Sequence, residues 1–376
     1  MSQEGQSHSP RDKISGDRLF MKIAFIDDNP FMGGGPLAMA TMMSNIEGEK
    51  FLLRCCEEKE IHSRCKDFTY CKIPDISYPI NLSKTLVFLR FSPCLIIYVF
   101  RIFIILLKIK PDIVWVNNYM ALIPIGLIRF VMRYKVVFCA HSADLPTDRK
   151  AKYMYSFSNS IVCVSKTVKE HLSSLDLKRS VHVVYNVSYG TGPATPARRY
   201  DGIALGYVGR LSKEKGVSDL ILTLRHLPEN FQLILVGDGP EVSNLISLAT
   251  QFGLQDRVVF LGHQDLTLSH YLSFCVFCLA SPREGSSLAI IEALNAGTQV
   301  VAYPAKAIVE IFGDLKSVTI SDDFTPESLA DKIKSLNCKR QFSENEVEII
   351  KNRFSNETQR TALQKVITEL LNKDRT

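Results

Sequence analysis

The chain is 376 residues long, 46% apolar and 22% charged, with a formal net charge of +6. That length suits two domains of roughly 100–200 residues each, and the composition is that of an ordinary globular protein. The ten cysteines show neither zinc-ligand nor secreted-disulfide spacing, which argues against a stapled framework and fits reduced thiols in a cytosolic protein.

Residues 1–20 are polar and aperiodic and lack the apolar core of a signal peptide, so they read as a disordered lead-in. "KIAFID" (22–27) predicts a buried strand, followed by a glycine loop through Gly33, Gly34 and Gly35 and a helix over 36–46. "CLIIYVFRIFIILL" (94–107) carries a single charge, Arg101, and is shorter than the roughly 18–20 residues that span a bilayer. It predicts either a buried helix or one lying on a membrane surface, helped by Arg90, Lys108, Arg129, Arg133 and Lys135. "ALIPIGLIRFVMRYK" (121–135) has the same basic and apolar character. "DIVWVNN" (112–118), "KVVFCAH" (135–141) and "SIVCVSK" (160–166) are apolar with almost no alternation, as parallel strands buried on both faces are.

The Gly-, Pro-, Thr- and Ser-rich stretch 188–202 reads as a linker. Strand-like runs then resume at 203–209, 231–237, 257–262, 276–281 and 298–304, separated by helix-like segments. The pattern predicts two doubly wound α/β domains, 21–190 and 203–352, joined by a linker over 191–202. The final segment, 353–376, contains a helix with Leu363, Val366, Ile367, Leu370 and Leu371 on one face and Ser355 placed to cap it. That face requires a partner surface.

Three stretches carry chemistry. "SPREGSSLAIIEALNAG" (281–297) places Glu284 in a loop after a strand and Glu292 about two turns into the next helix. A loop carboxylate and a helix carboxylate at that spacing can accept hydrogen bonds from two parts of one hydroxyl-bearing ligand. Ser286 and Ser287 keep the loop small enough for backbone N–H groups to approach an anion. "YVGRLSKEKGVSDLI" (207–221) turns through Gly209 and sets Arg210 and Lys215 before a helix, the arrangement of a diphosphate clamp. "DDNPFMGGGPLAMA" (27–40) puts small residues between a strand and a helix, although it is not the spaced glycine fingerprint of dinucleotide folds. Asp27 and Asp28 read as loop-stabilising groups rather than metal ligands.

Together with "PDIVWVNN", "HSAD", "VCVSKTVKEHL", "VYNV" and "LVGDGPE", these stretches resemble the retaining glycosyltransferases of family 4, over nearly the whole chain from Met21. The resemblance implies the α/β GT-B fold, two Rossmann-like domains facing across a cleft. The first would hold the acceptor and the second the nucleotide sugar, with the last helix crossing back to the first domain. Matched motif by motif, Glu284 would bind the transferred sugar's hydroxyls and Glu292 the ribose. Arg210 and Lys215 would neutralise the leaving diphosphate, aided by N–H groups near Ser287 and Leu288. Gly34 and Gly35 would close over the donor, and His141 would face the sugar. The residues from Gly237 to Glu241, with Gly262 and His263, would line the base pocket.

The implied reaction is a hexosyl transfer with retention from a UDP- or GDP-sugar, along a front-face path that needs neither cofactor nor metal. The acceptor would be a polysaccharide or lipid-linked glycan of the cell surface, such as lipopolysaccharide or capsule. The expected location is cytoplasmic, with peripheral contact to an anionic membrane face. Nucleic acid is not an expected partner, because the basic residues are not interleaved with aromatic platforms. Two other readings stand beside this one: a GT-B nucleotide-sugar epimerase, and an inactive sugar-nucleotide-binding subunit. The chain departs from the family pattern at Ser286 and Ser287, in "PAKAIVEI" (304–311), where a Gly-Gly turn is usual, and after Asn186, where a glycine is usual.

Overall fold

The computed structural model describes residues 20–28, 33–57, 59–75, 84–188, 195–196, 198–264, 268–336 and 342–372. The lead-in before Phe20 and much of the linker fall outside the described residues. The first sheet contains β1 (Lys22–Asp27), β2 (Glu49–Arg54), β3 (Thr69–Lys72), β4 (Ile113–Val116), β5 (Lys135–Ala140), β6 (Ser160–Cys163) and β7 (Ser180–Val183). The second contains β8 (Ile203–Val208), β9 (Phe231–Val236), β10 (Val258–Gly262), β11 (Val276–Leu279), β12 (Gln299–Ala302) and β13 (Val318–Ile320). Their orders are β3-β2-β1-β4-β5-β6-β7 and β10-β9-β8-β11-β12-β13, with parallel pairing throughout.

The central strands have no polar face. Ile23 to Ile26, Ile113 to Val116 and Val136 to Ala140 are completely buried, because helices cover both sides of each sheet. The strand order reverses direction between β1 and β4 in one sheet and between β8 and β11 in the other. Ligands of such sheets bind beyond the carboxyl ends of the strands at these switch points. The loops after β1, β8 and β11 emerge at these crevices, whereas His141, after β5, and Gly262, after the edge strand β10, lie farther along their sheets.

Several elements differ from the sequence expectation. The glycine loop is shorter than expected, since Gly34 and Gly35 already belong to the helix Gly34–Ser44. Pro36 falls in its first turn, where N–H groups have no intrahelical partner and a proline costs nothing. Asp27 forms an ion pair with Arg54, its register partner across β1 and β2, at 3.3 Å and with both side chains almost fully buried. The greasy segment 94–107 lies within the helix Lys84–Ile109. Tyr98, Ile102 and Leu106 are buried on one side of it, while Ile96, Ile97 and Phe100 are exposed on the other. Among the described residues no helix is long and apolar enough to cross a membrane.

The last helix, Asn356–Asn372, returns to the first domain: Leu363, Val366, Ile367 and Leu370 join the core of its sheet. Asn45 anchors the contact through hydrogen bonds to Asn356 and Gln359. Ser355 caps the helix by accepting from the Thr358 N–H.

Candidate active site

The cleft is lined by loops from the carboxyl ends of both sheets, and they touch. His141 follows β5 in the first domain. A Cβ added to Gly285 of the second domain would lie 2.1 Å from the His141 carbonyl oxygen. Gly35 approaches the other side, its would-be Cβ 3.9 Å from the imidazole. The histidine thus sits between two glycines, one from each domain; at Gly285 the missing side chain allows the approach, whereas a methyl group at Gly35 would make ordinary contact.

Asn117, at the end of β4, orients the ring. Its amide Nδ2 donates to the Gly35 carbonyl at 3.4 Å, which leaves Oδ1 to accept from His141 Nε2 at 2.7 Å. Nε2 therefore carries the proton, and Nδ1 is left as a bare acceptor, enclosed and without a partner. Burial pushes the His141 pKa down to about 4, so the ring is neutral near pH 7. The neutral ring thus keeps one acceptor nitrogen that is enclosed and has no hydrogen-bond partner among the described residues.

Glu284 and Lys215 meet at 2.8 Å, the carboxylate 9% exposed and the ammonium 32%. The Lys215 turn is held against the Glu284 loop by backbone packing: Gly216 has φ +65°, and its would-be Cβ lies 2.1 Å from the Ala280 carbonyl. Only glycine meets both conditions. Arg210 is solvent-exposed. Gly209 and Gly237 pack backbone against backbone, the latter's would-be Cβ 1.9 Å from the Gly209 carbonyl oxygen. Ser287 replaces the usual glycine by capping the helix Leu288–Asn295, its hydroxyl accepting from the Ile290 N–H at 3.3 Å. Gly262 is exposed, and His263 lies 3.4 Å from Glu60 of the first domain. A cavity of about 210 Å³ opens beside these strand ends, against Val236, Leu261 and Gln264.

Glu292 lies one turn into its helix rather than two, because the helix begins at Leu288. Its carboxylate is occupied. Oε1 accepts from Arg64 Nη2 at 2.8 Å and Ser188 Oγ at 3.0 Å, and Oε2 accepts from the Tyr271 hydroxyl at 2.6 Å. Asn117 stood within a quoted motif, at a switch-point strand end, and could have been singled out. Arg64, Ser188 and Tyr271 carry no motif that would have marked them. No cluster of three or more metal-ligating side chains occurs among the described residues.

Two family models match the chain: glycosyl transferases group 1 over residues 196–353 and glycosyltransferase family 4 over residues 73–187. Between them they take in the greater part of it. The chain belongs to the group 1 glycosyltransferases. A lipopolysaccharide core biosynthesis glycosyltransferase of Rhizobium meliloti, LpsE, is 32% identical over 202 residues, 51% of this chain and 56% of that protein. The chain thus spans little more than half the length of this curated relative. A lipopolysaccharide 1,6-galactosyltransferase of Salmonella typhimurium is 24% identical over 75% of the chain and 80% of its own length. Among solved structures, Anabaena HepE in complex with UDP-glucose superposes with a TM-score of 0.76 at 20% identity, covering 93% of this chain and all of that one. That likeness shows the GT-B fold.

Proposed function

We propose that this group 1 glycosyltransferase moves a hexose-type sugar, with retention, from a nucleotide-sugar donor to a glycan or lipid-linked acceptor of the bacterial cell surface. The observation that carries the reading is the meeting of His141 with Gly35 and Gly285 across the cleft, next to the Lys215–Glu284 pair. A neutral imidazole, a carboxylate and a cation are thereby brought close together from both domains. A UDP-sugar is the favoured donor, in keeping with the UDP-glucose bound by HepE. Lipopolysaccharide biosynthesis is favoured for the acceptor by the names of the relatives.

Lys215 and Glu284 pair with each other. On donor binding, Glu284 would accept from sugar hydroxyls while Lys215 and Arg210 face the diphosphate. Charge develops on the leaving diphosphate as the glycosidic bond breaks, and fixed cations and helix N–H groups stabilise it without reorganising. These groups supply the positive charge themselves, so the transfer is expected to proceed in EDTA. The exposed apolar residues of the helix Lys84–Ile109, together with Phe130 and Val131, support peripheral contact with a membrane that presents the acceptor.

The test is incubation with UDP-, GDP- and ADP-sugars in EDTA, with a membrane extract as the acceptor source. Nucleoside diphosphate release from one donor, abolished in Glu284→Ala, is the expected result. Conversion of the sugar while still attached to its nucleotide would replace the reading with epimerisation.

A further inference from the structure

Glu310 lies in the helix Lys306–Phe312 of the second domain, within the stretch where the chain departs from the family pattern. Its carboxylate reaches into the first domain. It accepts from the backbone N–H of Lys166 at 2.7 Å and of Thr167 at 2.6 Å, and from the Thr167 hydroxyl at 2.7 Å. The Tyr185 hydroxyl donates to it at 3.0 Å. Lys166 opens the helix Lys166–Ser173, whose own cap, Ser165, accepts only from the Val168 N–H among the first-turn donors described. Glu310 therefore completes, from another domain, a cap that the first domain leaves unfinished. A carboxylate is the right group for that end of a helix, because orphan N–H donors and the dipole both favour negative charge there.

The contact stands next to the crossing between domains. Tyr185 follows β7 and also accepts, through its carbonyl, from Gln359 of the returning helix at 2.9 Å. Three residues later Ser188 donates to Glu292. The segment 185–188 is thus fastened to the second domain by two carboxylates, one of them a candidate donor-site residue.

We infer that Glu310 is a positioning residue: it pins the two domains at their crossing and so sets the closed cleft in which Gly285 meets His141. A pin made of charge-assisted hydrogen bonds fixes an orientation that a purely apolar contact would let slide. Among the described residues the hydrogen-bond partners of Glu310 are Lys166, Thr167 and Tyr185, none of them a candidate donor-site residue. Its effect on the reaction passes through the approach of the two domains, and that consequence alone rests on the transferase reading above.

The experiment is hydrogen–deuterium exchange of the wild type, Glu310→Gln and Thr167→Val, read by mass spectrometry without ligand. In Glu310→Gln, peptides holding His141 and Gly285 should exchange several-fold faster, although neither residue contacts Glu310. Thr167→Val, which keeps both N–H bonds, should show a smaller change in the same peptides. Faster exchange confined to 166–168, or no change, overturns the inference, because Glu310 is then only a local cap. Faster exchange throughout the chain with a large drop in melting temperature also overturns it. In the donor assay, turnover of Glu310→Gln should fall about tenfold while UDP affinity stays within about twofold. If the wild type releases no diphosphate from any donor, the transferase reading fails while the exchange data still decide the pin.

Discussion

Arg64 of the first domain and Glu292 of the second meet at 2.8 Å across the cleft, each largely withdrawn from solvent. A carboxylate offers about four acceptor positions, and Arg64, Ser188 and Tyr271 take three of them among the described residues. If Glu292 binds the donor's ribose through two hydroxyls, one of these three must leave; the first domain supplies two of them, Arg64 and Ser188, and Arg64 is the one whose charge competes most directly for the carboxylate. Arg64→Ala should therefore bind UDP about three- to tenfold more tightly, as calorimetric titration would show. Weaker binding would place the guanidinium among the donor's own ligands.

Lys215 and Arg210 should separate by their stability effects. Lys215→Ala leaves a carboxylate that is only 9% exposed without its cation, at a cost of about 1–3 kcal/mol, so the melting temperature should fall by several degrees. Arg210 is exposed, and Arg210→Ala should melt with the wild type. Both should lose about 10²–10³-fold in the rate of diphosphate release. A near-normal rate in both would remove the diphosphate clamp from the mechanism.

Gly285→Ala tests cleft closure from the other side. The glycine does not need a left-handed backbone, but its added methyl would meet the His141 carbonyl at 2.1 Å. A backbone oxygen cannot swing aside as a flexible side chain can. The second domain should remain folded while the cleft is held open, and turnover should fall by about 10²-fold. Unchanged turnover would mean that the reacting geometry does not involve this contact.

His141 makes stability depend on pH. Its folded pKa is lowered to about 4 from an unfolded value of 6.5, so only the unfolded chain takes up this proton between those values. The contribution is fully present above pH 6.5. It declines as the pH falls, at no more than about 1.4 kcal/mol per unit, and is gone below about 4. Urea unfolding at pH 7, 6 and 5 should show a shallower decline in His141→Gln than in the wild type. Equal slopes would mean that the ring is already solvated.

Phe130 is 84% exposed, Val131 74% and Ile97 58%, with Arg133 and Lys108 also exposed. Phe130→Ser with Ile97→Ser should reduce cosedimentation with phosphatidylglycerol vesicles by tenfold or more, from lost apolar burial of about 1.5–3 kcal/mol per side chain. Equal binding by the double variant would locate any membrane contact elsewhere.

Sequence reading found the strands buried on both faces, such as β1, β4, β5 and β9, because full burial leaves an unbroken apolar run, and also the edge strand β10, whose residues stay apolar although half-exposed. It missed β2, whose first two residues, Glu49 and Lys50, are polar, and the short outer strands β3, β7 and β13. Their half-exposed residues, "TYCK" and "SVHV" among them, show no comparable run. It also started the first helix late by treating Gly34 and Gly35 as loop, since glycine alone does not reveal that a first helical turn tolerates it.

The sequence by itself determined the two α/β domains, the group 1 family and the types of side chain in each loop, because local patterns of apolar and small residues carry that information. Only the tertiary structure decided which of them meet. Arg64 and Glu292 stand 228 positions apart, and Glu310 and Thr167 stand 143 apart. Their contacts depend on how two separately folded sheets are turned toward each other. No spacing along the chain encodes that angle, which is fixed by a carboxylate on a helix end and by glycines that let two backbones come together.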